Sequence, residues 1–177
     1  EVELPIGVSR FWSPAFIWFY LWFLISTALF AGCWRFLSDN KWQKWSIWGS
    51  AFILFNIWFG VQVSVAINAW YGPFWDMIQK MLSDGGGNIN DLYNGTLTFL
   101  YIAMVAVTFA VINAFFTSHY VFRWRTAMNE YYTANWDRLR HVEGASQRIQ
   151  EDTMRFATIM EDLGVELIKS VMVLIAF

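Results

Sequence analysis

Residues 92–118, "LYNGTLTFLYIAMVAVTFAVINAFFTS", form 27 consecutive positions without a charged side chain. A helix needs about 20 apolar residues to cross the hydrocarbon core of a bilayer, which is ~30 Å thick. Residues 11–34 and 45–75 are two further charge-free stretches of 24 and 31 residues. The sequence therefore predicts three full transmembrane spans, over about 12–36, 45–75 and 92–120.

Composition supports a membrane protein. Hydrophobic residues make up 57% of the 177 positions and aromatic residues 20%, whereas a soluble domain is about 45–50% apolar. Helices buried inside a soluble protein are the alternative, but three long stretches without any charge argue against them. A fourth apolar segment, from about 160 to Phe177, predicts the start of a fourth span, so we expect the chain to be a truncated part of a larger membrane domain.

Basic residues predict the orientation, because short cytoplasmic loops keep more Lys and Arg than external ones. The segment before residue 11 and the loop 76–91 carry only Arg10 and Lys80. The opposite side carries nine basic residues: Arg35, Lys41, Lys44, Arg123, Arg125, Arg138, Arg140, Arg148 and Arg155. We therefore expect Gly144 to lie in the cytoplasm and Gly86 outside.

Between the third and fourth spans, residues of about 123–160 predict a cytoplasmic helical elbow. Residues 121–140 contain no Gly or Pro, so the third helix should continue well beyond the bilayer. Gly144 is the natural break, and a new helix should start near Ser146 and run without interruption into the membrane. A simple solvated hairpin is the alternative for so charged a segment.

A ridge of small and polar residues recurs every four positions in the second span. Its members are Asn56, Gly60, Ser64, Asn68 and Gly72. In lipid, such a ridge lets another helix approach closely and gives the amides hydrogen-bond partners. It is either an internal packing seam or a contact face between two subunits.

Motifs of catalysis and cofactor binding are absent from the sequence. It has no glycine-rich phosphate loop, its two histidines, His119 and His141, lie 22 residues apart, and Cys33 is alone. Neither pattern suits a metal site. We expect no enzyme activity, no cofactor, no metal and no nucleic-acid partner.

Longer motifs carry a resemblance to a known family. They are "RFWS" at 10–13, "NAWYGPFWDMIQ" at 68–79, "HYVFRWRTAMNEYY" at 119–132, "ANW" at 134–136, "LRH" at 139–141 and "QEDTMRFA" at 150–157. These resemble the SbmA/BacA family of bacterial inner-membrane peptide transporters over essentially the whole chain. They are similar, less closely, to the membrane region of half-size ABC exporters of the fatty-acyl type.

The resemblance implies an all-α integral membrane protein with an ABC-exporter-like transmembrane helical bundle. It also implies a multi-pass homodimer in the bacterial inner membrane, surrounded by lipid, that imports peptides, including antimicrobial peptides, by using the proton gradient. Two alternatives remain open. One is the membrane half of an ATP-driven ABC-type transporter, and the other is a membrane scaffold that transports nothing.

The helix after Gly144 carries the candidate site. At about 100° per residue, one face collects five charged side chains: Glu151, Arg155, Asp162, Glu166 and Lys169. A central charge in lipid costs at least about 2.5 kcal/mol, so this face should line water or another subunit. Glu151 with Arg155, and Glu166 with Lys169, either neutralise each other or take part in transport.

Glu161 lies about 80° to the other side and has no cation within one turn apart from the more distant Arg155, so we expect its carboxyl to exchange protons. The resemblance implies that acidic residues lining the cavity provide proton coupling. We therefore predict Glu161 first, Glu151 second and Glu166 third as residues that exchange protons and attract basic peptides. The accompanying elbow residues are Gln147, Arg148, Asp152 and Arg155.

Overall fold

The computed structural model describes residues 4–84 and 88–177, and within them the regular structure is entirely helical. The six α-helices are α1 Pro14–Leu37, α2 Gln43–Asp84, α3 Ile89–Ala134, α4 Trp136–Leu139, α5 Ala145–Ile159 and α6 Val165–Ala176. A 3₁₀ helix, Val8–Trp12, precedes α1, and a π-helical turn, Met160–Gly164, joins α5 to α6. Helices α1, α2 and α3 are each long and apolar enough to cross a membrane. The prediction of an all-α membrane protein is confirmed.

The core forms where the 3₁₀ helix, α1, α2 and α3 meet. Its buried members are Phe11, Phe16, Phe59, Val63, Ala66 and Ile102. The Tyr20 hydroxyl donates to the Phe11 carbonyl at 3.1 Å and ties α1 to the segment before it. Pro14 begins α1, because its fixed φ suits the first helical position.

Helices α2 and α3 pack as an antiparallel pair with contacts near both ends. At one end, the Trp70 indole donates to the Gly95 carbonyl at 2.8 Å. At the other end, Tyr120 stacks on Trp45 with ring centroids 4.3 Å apart, and its hydroxyl lies 2.6 Å from that of Ser50. The shorter α6 packs against α2, and α5 packs against α3.

Large apolar side chains cover the outside of α1. Trp18, Trp22 and Leu29 are 69%, 54% and 65% exposed. A soluble monomer rarely displays so large an apolar surface. Such a surface suits the apolar interior of a bilayer, which agrees with the length and hydropathy of the helix.

Helix α3 is longer than a membrane span. Its 46 residues extend about 69 Å at ~1.5 Å per residue, against ~30 Å of hydrocarbon. It ends at Ala134, six residues before Arg140, because Asn135 caps it and donates its side-chain amide to the Tyr131 carbonyl at 2.8 Å. The predicted break at Gly144 is present, with φ at +71°, in the left-handed region that favours glycine.

The contact between Lys41 and Glu130 places the α1–α2 loop and the far end of α3 on the same side of the bundle, as the charge count predicts. Gly86, the position expected outside, lies beyond the described residues. Lys80 near the opposite end of α2 and Ser146 at the start of α5 are both exposed. These two positions therefore suit a test of the orientation.

We expect a membrane-impermeant thiol reagent to label Lys80→Cys in intact cells and Ser146→Cys only after permeabilisation. The background variant Cys33→Ser removes the single native thiol. Labelling of position 146, but not of position 80, in intact cells would reverse the orientation.

Candidate functional site

Helix α5 packs against the part of α3 that extends beyond its charge-free segment. Trp124 meets Phe156 edge to face with centroids 5.5 Å apart, and Ala145 and Ala157 are buried. The α5 face with these apolar residues therefore lies toward α3.

Glu151 lies in a row of three polar side chains along α5. Its carboxylate accepts from the Gln147 amide at 3.4 Å and from the Arg155 guanidinium at 3.2 Å. The Arg155 side chain is 71% exposed and that of Glu151 is 44% exposed. An ion pair this exposed contributes little to stability, but it compensates the Glu151 charge.

Glu166 is paired in the same manner. The Lys169 ammonium donates to its two carboxylate oxygens at 3.2 and 3.4 Å. Glu151 and Glu166 are thus each neutralised by a neighbouring cation, which was one of the two alternatives predicted for these pairs, the other being a part in transport.

Glu161 differs from both. It is half-buried, and within residues 4–84 and 88–177 its carboxylate has neither a hydrogen-bond donor nor a cation in contact. It lies in the π-helical turn Met160–Gly164. Such turns occur mostly as single-turn bulges in α-helices, often at functional sites.

The π turn corrects the prediction that five charged residues share one face. A turn closed by i→i+5 bonds holds about one residue more than an α-turn. Glu166 and Lys169 are therefore rotated by about 100°, the angle of one residue, relative to Glu151 and Arg155. The chain is helical without a break over residues 145–176, as predicted, but uniform α-helical periodicity across residues 160–164 was the wrong assumption.

The remaining elbow residues lie on a separate cavity. Arg148 and Asp152 line a space of about 350 Å³ together with Met128, Tyr132 and Phe156. The cavity lies between α3 and α5, whereas Glu161 does not line it. The structure thus separates the predicted site into an elbow cavity, a compensated Glu151, a compensated Glu166 and an unpaired Glu161.

A larger cleft was missed by sequence reasoning. It has a volume of about 1030 Å³ and lies between the α1–α2 loop and the extension of α3. Seven aromatic side chains line it: Trp34, Trp42, Trp45, Tyr120, Trp124, Tyr131 and Tyr132. The abundance of Trp and Tyr near predicted span ends was the available signal, but these residues come from distant parts of the chain.

Glu130, an acidic side chain of this cleft, forms an ion pair with the Lys41 ammonium group. Glu130 pairs with Lys41 and accepts from the Trp42 indole at 3.2 Å, and the Lys41 ammonium lies 5.3 Å from the centre of the Trp42 ring. Glu130 is outside the apolar segment, about 18 Å past Ser118 at ~1.5 Å per residue. Hydrogen bonding from Lys41 is the main cause that lowers the pKa of Glu130.

Polar side chains are also enclosed between the spans. Asn56 is only 4% exposed, and both of its amide atoms, the Asn113 amide oxygen and the Thr117 hydroxyl lack a hydrogen-bond partner in the described chain. In the same part of the chain, no group of three acidic, His or Cys residues is arranged to hold a metal ion.

Long apolar helices, an exposed apolar surface and polar residues buried between the helices define a multi-pass α-helical membrane protein. The sequence profile of the SbmA/BacA-like family matches residues 39–177. The chain belongs to the SbmA/BacA-like family. This membership implies a membrane peptide transporter, a class distinct from typical enzymes.

Proposed function

We propose that the protein imports peptides across the bacterial inner membrane by using the proton gradient, and that it works as a homodimer. Glu161 carries the proposal, because it is the half-buried acidic residue at the elbow that no cation compensates in the described structure. A proton carrier must bind and release its proton within one transport cycle. A carboxylate that is not committed to a salt bridge suits this role better than a paired one.

The π turn supports a role for Glu161 in a conformational change. Its wider hydrogen-bonding pattern interrupts the regular helix between the elbow and α6. If the π turn converted to a regular α-turn, α6 would rotate relative to α5 while the chain stayed helical. We propose that protonation of Glu161 and this rotation are linked during transport.

Basic peptides fit the charges and rings on the cytoplasmic side. The Lys41 ammonium lies against the Trp42 ring and the Glu130 carboxylate, so an ammonium group fits beside these two side chains. A peptide ammonium group has the same chemistry as the Lys41 side chain. The aromatic cleft therefore supports a basic rather than an acidic cargo.

The second copy is proposed to contact α2 along the ridge. Asn56 is packed inside, but Gly60, Ser64, Asn68 and Gly72 are exposed. A Cβ at Gly60 or at Gly72 would meet nothing within 4 Å. An amide such as that of Asn68 facing lipid is costly, whereas a neighbouring helix can approach small residues closely and satisfy it.

Gly60→Leu is expected to reduce dimer formation while leaving the monomer folded, because the added side chain enters open space in the monomer but blocks close helix approach. In-membrane chemical crosslinking measures the dimer fraction. Ala28→Leu, at an exposed position of α1, is the matched control and should dimerise normally. Equal crosslinking of both variants and the unmodified protein would remove the ridge from the interface.

The proposed function is tested by uptake of a fluorescent basic peptide into proteoliposomes that contain the native protein. With the outside more acidic than the lumen and no ATP, we expect peptide to accumulate, and collapse of the gradient by an uncoupler should stop it. Uptake that needs ATP and ignores the gradient would favour the ATP-driven alternative. No uptake under either condition would favour the scaffold.

A further inference from the structure

Another cavity borders the α1–α2 loop and shares Asp39, Asn40, Lys41 and Gln43 with the aromatic cleft. Its volume is about 450 Å³, and the end of α1, the loop and the start of α2 form its walls. The basic residues on its wall are Arg35, Lys41 and Lys44, and the acidic one is Asp39. This cavity is separate from Glu161 and from the elbow cavity.

The charge in this cavity is incompletely compensated. Lys41 is paired with Glu130, and Asp39 supplies one carboxylate. Neither Arg35 nor Lys44 has an ion-pair partner in the part of the chain that the structure describes. The positive end of the α2 dipole adds to this charge, because α2 begins at Gln43, on the cavity wall. The cavity as a whole therefore favours an anion.

The apolar part of the wall indicates which anion. Ala31, Gly32, Ile47 and Trp48 line the cavity beside the cations. Trp48 is 43% exposed, and a Cβ at Gly32 would meet nothing within 4 Å. A free inorganic anion would make no favourable contact with this apolar surface. A phospholipid would contact both parts of the wall, because its charged headgroup is joined to apolar acyl chains.

The depth of the cavity agrees with a headgroup. Its lining comes from residues 31–48, where the charge-free segments of α1 and α2 give way to a basic loop flanked by Trp34 and Trp45. Trp residues concentrate at the level of the headgroups. Basic pockets between transmembrane helices on the cytoplasmic side bind anionic headgroups.

We infer that this cavity binds the phosphate of an anionic phospholipid from the cytoplasmic leaflet, with Arg35 and Lys44 as the main contacts. The lipid would lie in the gap between the end of α1 and the start of α2. The closest ring contacts between these helices lie farther along them, where Phe19 stacks on Trp58 at 4.0 Å. A bound lipid would therefore join the two helices where aromatic packing does not.

The test uses the native protein, purified, delipidated and reconstituted into nanodiscs of phosphatidylcholine with or without phosphatidylglycerol. Native mass spectrometry then counts retained phosphatidylglycerol. Arg35→Gln with Lys44→Gln should weaken retention by roughly tenfold or more, since each basic residue near the surface adds to the attraction. Arg138→Gln with Arg140→Gln removes the same charge from the same side of the protein, away from the cavity, and should retain the lipid.

Gly32→Leu is a second variant that keeps every charge. Its side chain enters open space, so the fold should persist, but it fills the apolar wall and should also reduce retention. Equal retention by all variants, with folding verified by circular dichroism, would overturn the inference. Inorganic phosphate that competes fully with the lipid, combined with normal retention in Gly32→Leu, would assign the cavity to a free anion and overturn the lipid assignment.

Discussion

Replacing Glu161 with Gln is expected to reduce gradient-driven peptide uptake to the level that remains after the gradient is collapsed. Gln keeps the size and polarity of the side chain but cannot carry a proton. Glu161 is half-buried and has no cationic partner in the described structure, so its carboxylate is not committed to a salt bridge. Uptake into proteoliposomes across a range of imposed pH gradients measures the effect.

Glu166→Gln is the matched control for this experiment. It makes the same chemical change five residues away, but at a side chain paired with Lys169 and 65% exposed, so uptake should remain substantial. Both variants should insert in the membrane and form dimers normally. Unchanged uptake in Glu161→Gln, or an equal loss in Glu166→Gln, would refute the particular role of Glu161.

Gly49→Leu is expected to destabilise the α2–α3 pair by about 1–3 kcal/mol, the usual cost of overpacking a core. A Cβ at buried Gly49 would lie 2.7 Å from the Tyr120 ring. That ring is held by its stacking on Trp45 and by its hydrogen bond with Ser50, so it cannot turn aside freely. Unfolding by denaturing detergent in mixed micelles measures the change.

Gly32→Leu provides the comparison, because a Cβ there meets nothing within 4 Å, and its stability should change little. In a Tyr120→Ala background, the penalty of Gly49→Leu should also shrink, since the obstructing ring is gone. A penalty of the same size in both backgrounds would show that this contact is not its cause.

Local features of the sequence were enough to predict much of the fold. A long charge-free stretch must be helical in lipid, because a single segment can pair all its backbone N–H and C=O groups there only as a helix. The break at Gly144 could be predicted because glycine is the residue that most easily adopts a positive φ, and Gly144 does so. The end of α3 was less predictable: residues 121–140 contain no Gly or Pro, yet Asn135 caps the helix at Ala134.

The site was less accessible to sequence reasoning. The pairs of Glu151 with Arg155 and of Glu166 with Lys169 follow from helical spacing and are present. The π turn at Met160–Gly164 has no compositional signature, so the rotation of α6 relative to α5 was missed. The pairing of Lys41 with Glu130, 89 residues apart in the chain, depends on how the helices pack and leaves no local pattern.

The central claim is that this protein couples peptide movement to proton movement. The most direct measurement is the lumenal pH of sealed proteoliposomes, followed with a trapped pH-sensitive dye while a basic peptide is added outside without ATP. We expect the lumen to acidify on addition of peptide, in proportion to the labelled peptide that enters, and we expect no acidification with Glu161→Gln. Peptide entry with no change in lumenal pH would contradict the account.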